Sequence, residues 1–273
     1  VEAGYDMIHI AGANMGIVHQ FCSPFYNRRD DEFGDGVRFL ELLAEEIRQR
    51  ASDVPLMTKV PAESSTPPGV GPHLTDDDAV EICERLEAAG FDALVPVTGS
   101  VIWDMSIIKG EFPDAVWADD RFTEGYDAAF GGPWRRRLAA AATWFDSQLY
   151  TYEPAWNSGL CRRVRERVDV PILAEGGIRT RGQIDELLGS DCDLVGLGRP
   201  FYAEPRLPAR LLDSAPETAV VCENCNNCTV PQVAGEPGVC RTPVVLAEAG
   251  RLRKAGAYDR PQSGGATDSV DNP

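Results

Sequence analysis

Lysine is almost missing from this chain of 273 residues. It occurs only at Lys59, Lys109 and Lys254, so 23 of the 26 basic residues are arginine. Acidic residues number 43 and set the formal net charge at −17. Nucleic-acid partners are excluded by this balance, because phosphate binding needs a basic face, and the single run Arg135-Arg136-Arg137 reads as a solvated helix face. An acidic, lysine-poor surface keeps a chain soluble through self-repulsion, a device of halophiles, and the expectation is a salt-adapted protein. No stretch approaches the roughly 18 apolar residues of a membrane span. The first residues, Val1-Glu-Ala-Gly, do not read as a charged and then apolar export leader, which places the expectation in the cytoplasm. No Gly-x-Gly-x-x-Gly occurs anywhere, so no dinucleotide-binding fingerprint is present.

What is there alternates between strand and helix. Strand patterns occupy Asp6–Ala11, Pro55–Val60, where Lys59 stands at the strand end, and Asp92–Thr98, then segments starting at 171 and 193. Between them, Val37 to Ala51 puts Val37, Leu40, Ala44 and Ile47 on one helical face. Thr75 caps a helix whose first turn carries Asp76, Asp77 and Asp78, where negative charge suits the dipole; its core face is Ala79, Ile82, Cys83 and Leu86. A helix from about 159 to 168 precedes the strand at 171, and Thr180 caps a helix that Gly189 ends. The stretch 101–158 is long and Trp-rich. From 258 to 273 the composition predicts a disordered tail.

Five βα units of parallel type follow from this order, and an eight-unit barrel would be incomplete with them. The expectation is therefore the C-terminal part of a (β/α)8 barrel, strands four to eight, with a smaller complete open sheet as the alternative. The domain division reads 1–213 for the barrel part including the 101–158 insertion, 214–257 for a cysteine segment with a terminal helix, and 258–273 for the tail.

Three consecutive motifs carry the chemistry. Pro171-Ile-Leu-Ala-Glu-Gly-Gly-Ile178 and Asp193-Leu-Val-Gly-Leu-Gly-Arg-Pro200 are short buried strands that run straight into glycine. Glycine lets a backbone approach a bound group without a Cβ in the way, and paired turns of this kind hold phosphate at the last two loops of a barrel. The third motif is Cys222-x2-Cys225-x2-Cys228-x11-Cys240. Four thiols within 19 positions, in a chain without an export signal, read as a metal or iron–sulfur site rather than as disulfides. The other four cysteines, Cys22, Cys83, Cys161 and Cys192, are scattered and read as buried small apolar residues.

These residues resemble the old yellow enzyme and NADH:flavin oxidoreductase family, including its 2,4-dienoyl-CoA reductase-like branch. The matching text is Ala3-Gly-Tyr-Asp6, His19-Gln-Phe21, Ser23-Pro24, Asn27-Arg-Arg29, Asp31-Glu-Phe-Gly34, Arg38-Phe39, Lys59, Glu175-Gly-Gly-Ile178 and Gly198-Arg-Pro200, followed by the cysteines. The resemblance implies an FMN-dependent barrel that passes hydride from NAD(P)H to an unsaturated or electrophilic small molecule. It implies that Gly176, Gly177, Gly198 and Arg199 hold the FMN phosphate and that Lys59, where the family has Arg, lies at the pyrimidine edge of the ring. It implies a [4Fe–4S] cluster on Cys222, Cys225, Cys228 and Cys240, with zinc as the lesser alternative, although one residue between the second and third cysteines is missing.

The substrate-binding pair departs from the family. Its two positions fall on Ala11 and Asn14, and the following Tyr position falls on Gly16. Asn14 can donate to a carbonyl; Ala11 and Gly16 cannot. The proton donor then lies outside this loop, with Tyr126, Tyr150 and Tyr152 as candidates that also read as packing residues. His9 is expected to face away from the barrel mouth, and His19, Asn27 and Arg28 to brace the loop. A non-catalytic or electron-transfer subunit of a flavoprotein complex is the alternative function. Further partners implied are an N-terminal barrel half, an electron-transfer chain, or a second copy of this one.

Overall fold

The computed structural model describes residues 3–14, 16–64, 71–99, 106–212 and 214–259. Five short strands form in chain order: β1 (Ile8–Ile10), β2 (Leu56–Ala62), β3 (Ala93–Thr98), β4 (Leu173–Glu175) and β5 (Leu194–Gly196). The pairs β1–β2, β2–β3 and β4–β5 are all parallel, and a parallel bridge from Leu94 to Ile172 joins β3 to β4. Strand order along the sheet therefore follows chain order, the order that consecutive βα units of a barrel have.

Eleven helices lie between and after the strands in the described residues: α1 (Ile17–Cys22), α2 (Arg38–Arg50), α3 (Asp76–Ala88), α4 (Asp114–Trp117), α5 (Thr123–Phe130), α6 (Pro133–Leu149), α7 (Ser158–Arg165), α8 (Arg181–Ser190), α9 (Arg199–Ala203), α10 (Leu207–Leu211) and α11 (Pro243–Lys254). None is long and apolar enough to cross a membrane. Thr75 and Thr180 both close capping boxes, with Asp78 and Gln183 returning the hydrogen bond. Each cap satisfies backbone donors that the first turn leaves open.

One face of the sheet is covered by helices. Leu56, Val60, Ala62, Leu94, Ile172 and Ala174 pack there against Leu40 and Ala44 of α2, Ile82, Cys83 and Leu86 of α3, Leu160 and Val164 of α7, and Leu187 of α8. Cys22, Cys83, Cys161 and Cys192 are buried in this layer, as expected. The opposite face carries a second, smaller buried cluster of Ala13, Met57, Ala93, Val95 and Val97.

Several sequence expectations change. β2 continues through Pro61 to Ala62, so Lys59 sits mid-strand rather than at a strand end. β1 pairs only with Leu56 to Thr58; beyond that point β2 is an edge on one side, where a proline without an N–H is tolerated. Gly189 does not end α8, which runs to Ser190. Residues 258 and 259 belong to the folded body, for Tyr258 is buried and donates to Glu204 Oε1 at 2.9 Å; the rest of the expected tail lies outside the described residues. Asn27 does brace its loop, donating to the carbonyls of Phe21 and Phe33. Arg28 is exposed, and the ion pair in this loop is made by Arg29 with Asp31.

His19 is structural, as expected. Its ring meets Glu63 Oε1 at 3.0 Å with both side chains buried, and Glu63 Oε2 accepts from the Leu74 N–H at 2.8 Å. Burial pushes the Glu63 carboxyl up, but hydrogen bonds from His19, Leu74 N–H and Ser23 outweigh it, and the net shift is below the ordinary 4.5. A depressed carboxylate stabilises the fold fully above its unfolded value and loses that contribution as pH falls through the folded one. We expect His19→Leu to leave the carboxylate short of a partner and to cost about 3 kcal/mol in urea unfolding. The part of the acid-side loss of stability that Glu63 contributes below pH 4.5 should shrink in that variant, because its folded value rises towards the unfolded one.

Candidate functional site: two glycine turns and a cysteine loop

β4 ends at Glu175 and enters a turn at Gly176 (φ 104°) and Gly177 (φ 68°), a backbone region closed to most side-chain-bearing residues. The segment before α7 lies directly on this turn. A Cβ at Gly176 would stand 2.6 Å from the Trp156 ring, and one at Gly177 would stand 2.2 Å from the Glu153 carbonyl oxygen. Tyr152 donates its hydroxyl to the Gly177 carbonyl at 2.9 Å. Asn157, buried, donates to the Glu175 carbonyl and accepts from the Thr98 N–H, both at 2.8 Å. The ends of β3 and β4 are thus tied through one amide.

The second turn follows β5, where Gly198 caps α9 and Arg199 is its first residue. The backbone N–H groups of Gly177, Gly198 and Arg199 donate to nothing among the described residues. They border a pocket of about 170 Å³ that is also lined by Trp156, Arg179 and Asn224. Trp156 Nε1 and Asn224 Nδ2 are buried and have no hydrogen-bond partner among the described residues. Buried polar atoms are almost always satisfied, so two orphaned donors around one pocket, beside free N–H groups and two guanidinium groups, describe a site for an anion. A flavin phosphate fits that donor set.

Arg199 belongs to two sites at once. Its guanidinium donates to the Lys109 carbonyl at 3.0 Å and to Asn226 Oδ1, and it also lines a second, smaller pocket with Cys222, Cys225, Cys228 and Cys240. Burial pulls it below the ordinary arginine value, while the thiols of Cys222, Cys228 and Cys225 act in the other direction. The cysteine loop is shaped by Asn224 (φ 57°) and Asn226 (φ 58°), asparagine being among the few residues that visit this region readily. Burial raises the thiols of Cys222, Cys240 and Cys228, the last to about 12. Cys225 Sγ lies 2.9 Å from Thr242 Oγ1. The four-thiol donor set suits a soft metal or an iron–sulfur centre. Among the described residues, however, no three His, Cys, Asp or Glu side chains stand close enough together to hold a metal ion.

The sheet face opposite the helices holds a third group. Lys59 Nζ pairs with Glu175 Oε2 at 2.5 Å, both half-buried. His9 is exposed there, in register with Met57, rather than turned towards the helices as alternation had suggested. Burial lowers its pKa, Lys59 lowers it further and Glu175 opposes them. Asn14 is exposed, with φ 63°, and Ala11 is exposed beside it. Tyr126 packs in an aromatic cluster with Val116, Phe122 and Trp117, and Tyr152 is engaged by Gly177, so neither faces this group. Sequence reasoning left Trp156, Asn224, Arg179 and Glu175 without roles. Glu175 and Arg179 flank the first glycine motif, which was the available signal; Trp156 and Asn224 had none.

No family model matches the chain. A 4,4'-dithiodibutanoate disulfide reductase from Rhodococcus erythropolis is 26% identical over 259 residues, covering 92% of this chain and 60% of the relative. An NADPH dehydrogenase from Geobacillus sp. is 34% identical over 105 residues, 37% of this chain and 29% of the relative. The chain therefore spans less than two thirds of the length of either. A solved structure of morphinone reductase in complex with tetrahydroNAD aligns over 91% of this chain and 51% of its own, with a TM-score of 0.48 and 17% identity.

The turn geometry is testable directly. Gly177→Ala combines a positive φ with a backbone clash, and we expect it to cost about 1–3 kcal/mol in thermal unfolding and to shift the tryptophan emission as Trp156 is displaced. An unchanged melt and spectrum would show that the segment is not seated on the turn.

Proposed function

As a relative of the old yellow enzyme and NADH:flavin oxidoreductase family, the chain is, we propose, the FMN-binding C-terminal part of a (β/α)8 barrel, strands four to eight, in an NAD(P)H-dependent oxidoreductase. The observation that carries this reading is the anion pocket between the two glycine turns, with its free N–H groups and orphaned side-chain donors. FMN, when bound, supplies the redox chemistry, taking hydride from NAD(P)H and giving it to an electrophilic acceptor.

The chain's own residues have distinct tasks in this reading. Gly177, Gly198 and Arg199 offer backbone donors to the phosphate, with Gly176 keeping the turn open, and Trp156 Nε1 and Asn224 Nδ2 complete the shell. The Arg179 and Arg199 guanidinium groups set a positive potential there, and hydrogen bonds to an anion are stronger than neutral ones. Lys59 supplies positive charge on the sheet face opposite the helices, where the ring system would lie. Glu175 holds the Lys59 ammonium in place through the 2.5 Å pair. Preorganised charge of this kind stabilises negative charge as it develops and requires no reorganisation at the moment of reaction. Asn14 can donate to a carbonyl or comparable acceptor oxygen. The proton has no donor at Ala11 or Gly16, and His9 is the titratable ring on that face.

Cys222, Cys225, Cys228 and Cys240 form the proposed ligand set for a [4Fe–4S] cluster, with Arg199 between them and the phosphate. Iron and acid-labile sulfide analysis of protein purified without oxygen checks this assignment separately from the flavin. Iron and sulfide near four each per chain (about one cluster) support it; zinc alone, or neither metal, removes it.

An anaerobic absorbance spectrum before and after NADH or NADPH tests the main reading. Flavin bands that bleach on addition, and recover with an activated alkene or a small disulfide, are the expected result. A protein that binds FMN but never turns over would instead be a non-catalytic or electron-transfer subunit. Failure to retain or take up FMN would overturn the proposal. In an active protein, Lys59→Met should slow flavin reduction or reoxidation by about 10- to 100-fold.

A further inference from the structure

The 17-residue helix α6 has no buried residue. One face meets the body of the protein, where Arg136 pairs with Asp127. The other face carries Trp134 (68% exposed), Leu138 (51%), Phe145 (58%) and Leu149 (59%), with Trp144 (54%) beside them. At 3.6 residues per turn, Trp134, Leu138, Ala141, Ala142, Phe145 and Leu149 form one stripe along the helix. Single exposed apolar residues need no explanation, but a contiguous stripe of this kind marks a docking surface.

The stripe reads the same in both directions. About a midpoint between Ala141 and Ala142, Leu138 mirrors Phe145 and Trp134 mirrors Leu149. Two such helices laid antiparallel would set Trp134 against Leu149 and Leu138 against Phe145, with the small alanines at the centre where the backbones come closest. A two-fold contact demands this self-complementarity. Charge selects the same arrangement. Arg135 and Arg137 are exposed at the N-terminal end of α6, and its exposed residues include no carboxylate. Parallel pairing would set the arginines of two copies side by side. Antiparallel pairing sends them to opposite ends, each beside the partner helix's C-terminus, where the dipole favours a cation.

The area is adequate. Taking roughly 150–250 Å² for a full aromatic side chain and rather less for a leucine, the five apolar residues expose about 500 Å² per copy. Pairing two copies removes about 1,000 Å², the lower limit for a specific interface. We propose that the exposed face of α6 docks antiparallel on α6 of a second copy of this chain, about a two-fold axis between Ala141 and Ala142, to form a reversible dimer.

The test is sedimentation of the purified chain over a concentration series, at low and high salt. A monomer–dimer equilibrium is expected, and Leu138→Glu and Phe145→Glu should each weaken it at least about 100-fold, with an unchanged circular dichroism spectrum because both side chains point to solvent. Under mild oxidation that leaves the parent un-cross-linked, Ala142→Cys should form a covalent dimer. Arg137→Cys, whose two copies stand about 14 Å apart along the axis at 1.5 Å per residue, should not. A chain that stays monomeric throughout, a dimer indifferent to both glutamates, or a monomer that uses the stripe to bind anionic phospholipid vesicles would each overturn the proposal.

Discussion

The contact on which the rest of the site depends is the seating of residues 152–157 on the Gly176–Gly177 turn. Trp156 lies against both glycines, the Glu153 carbonyl occupies the space a Cβ at Gly177 would need, and Tyr152 takes the Gly177 carbonyl. Asn157 then ties the same segment to the ends of β3 and β4. The two parts are in backbone and ring contact too close for any side chain at either glycine, so a shift of one displaces the other. The Gly177 N–H is thereby presented outward, and the Trp156 indole is held over the pocket with its donor unpaired.

The same seating extends to the cysteine loop. Lys109 sits over the Trp156 ring at 5.5 Å and gives its carbonyl to Arg199. Arg199 in turn binds Asn226, whose amide donates to the Ile108 and Glu111 carbonyls. Residues 108–111 are therefore clamped between the cradle and the thiols. A change at either pocket meets the Arg199 guanidinium first, because it is the cation that lines both. Its charge is retained in spite of burial, as arginine does not deprotonate in proteins, so any anion in the cradle and any thiolate in the loop compete for the same positive group.

Much of the fold was legible because its signals are local. Thr75 and Thr180 announced their helices by capping chemistry, and the apolar period of Val37 to Ile47 and of Ala79 to Leu86 gave the covered face. The glycine motifs were equally plain, since closeness of backbone is something only glycine records. The misplaced points have a common cause in tertiary context. Lys59 read as a strand end, yet β2 continues through Pro61 because the neighbouring strand β1 is too short to need that N–H. His9 was expected to face away from the barrel mouth, and only its register with Met57 puts it on the face of Lys59 and Glu175. Gly189 read as a stop although α8 continues one residue past it. Trp156 and Asn224 could not be read at all: an orphaned donor is defined by what fails to surround it, and that is a property of packing rather than of sequence.

The sheet face opposite the helices differs in kind from the one they cover. Parallel strands are usually buried on both faces and read as aliphatic throughout. Here the helix-covered face obeys, with Leu56, Val60, Leu94, Ile172 and Ala174. The other face begins aliphatic at Met57, Ala93 and Val95 and then becomes ionic at Lys59 and Glu175, with His9 beside them. A half-buried pair of that kind is weak support for stability, because partial desolvation offsets much of the attraction, and apolar residues would serve a core better. Lys59 and Glu175 are also at the level where β4 gives way to the glycine turn. A cation, a carboxylate and an imidazole gathered on the sheet beside an anion pocket make poor core, and their position is the one the proposed FMN site would require of them.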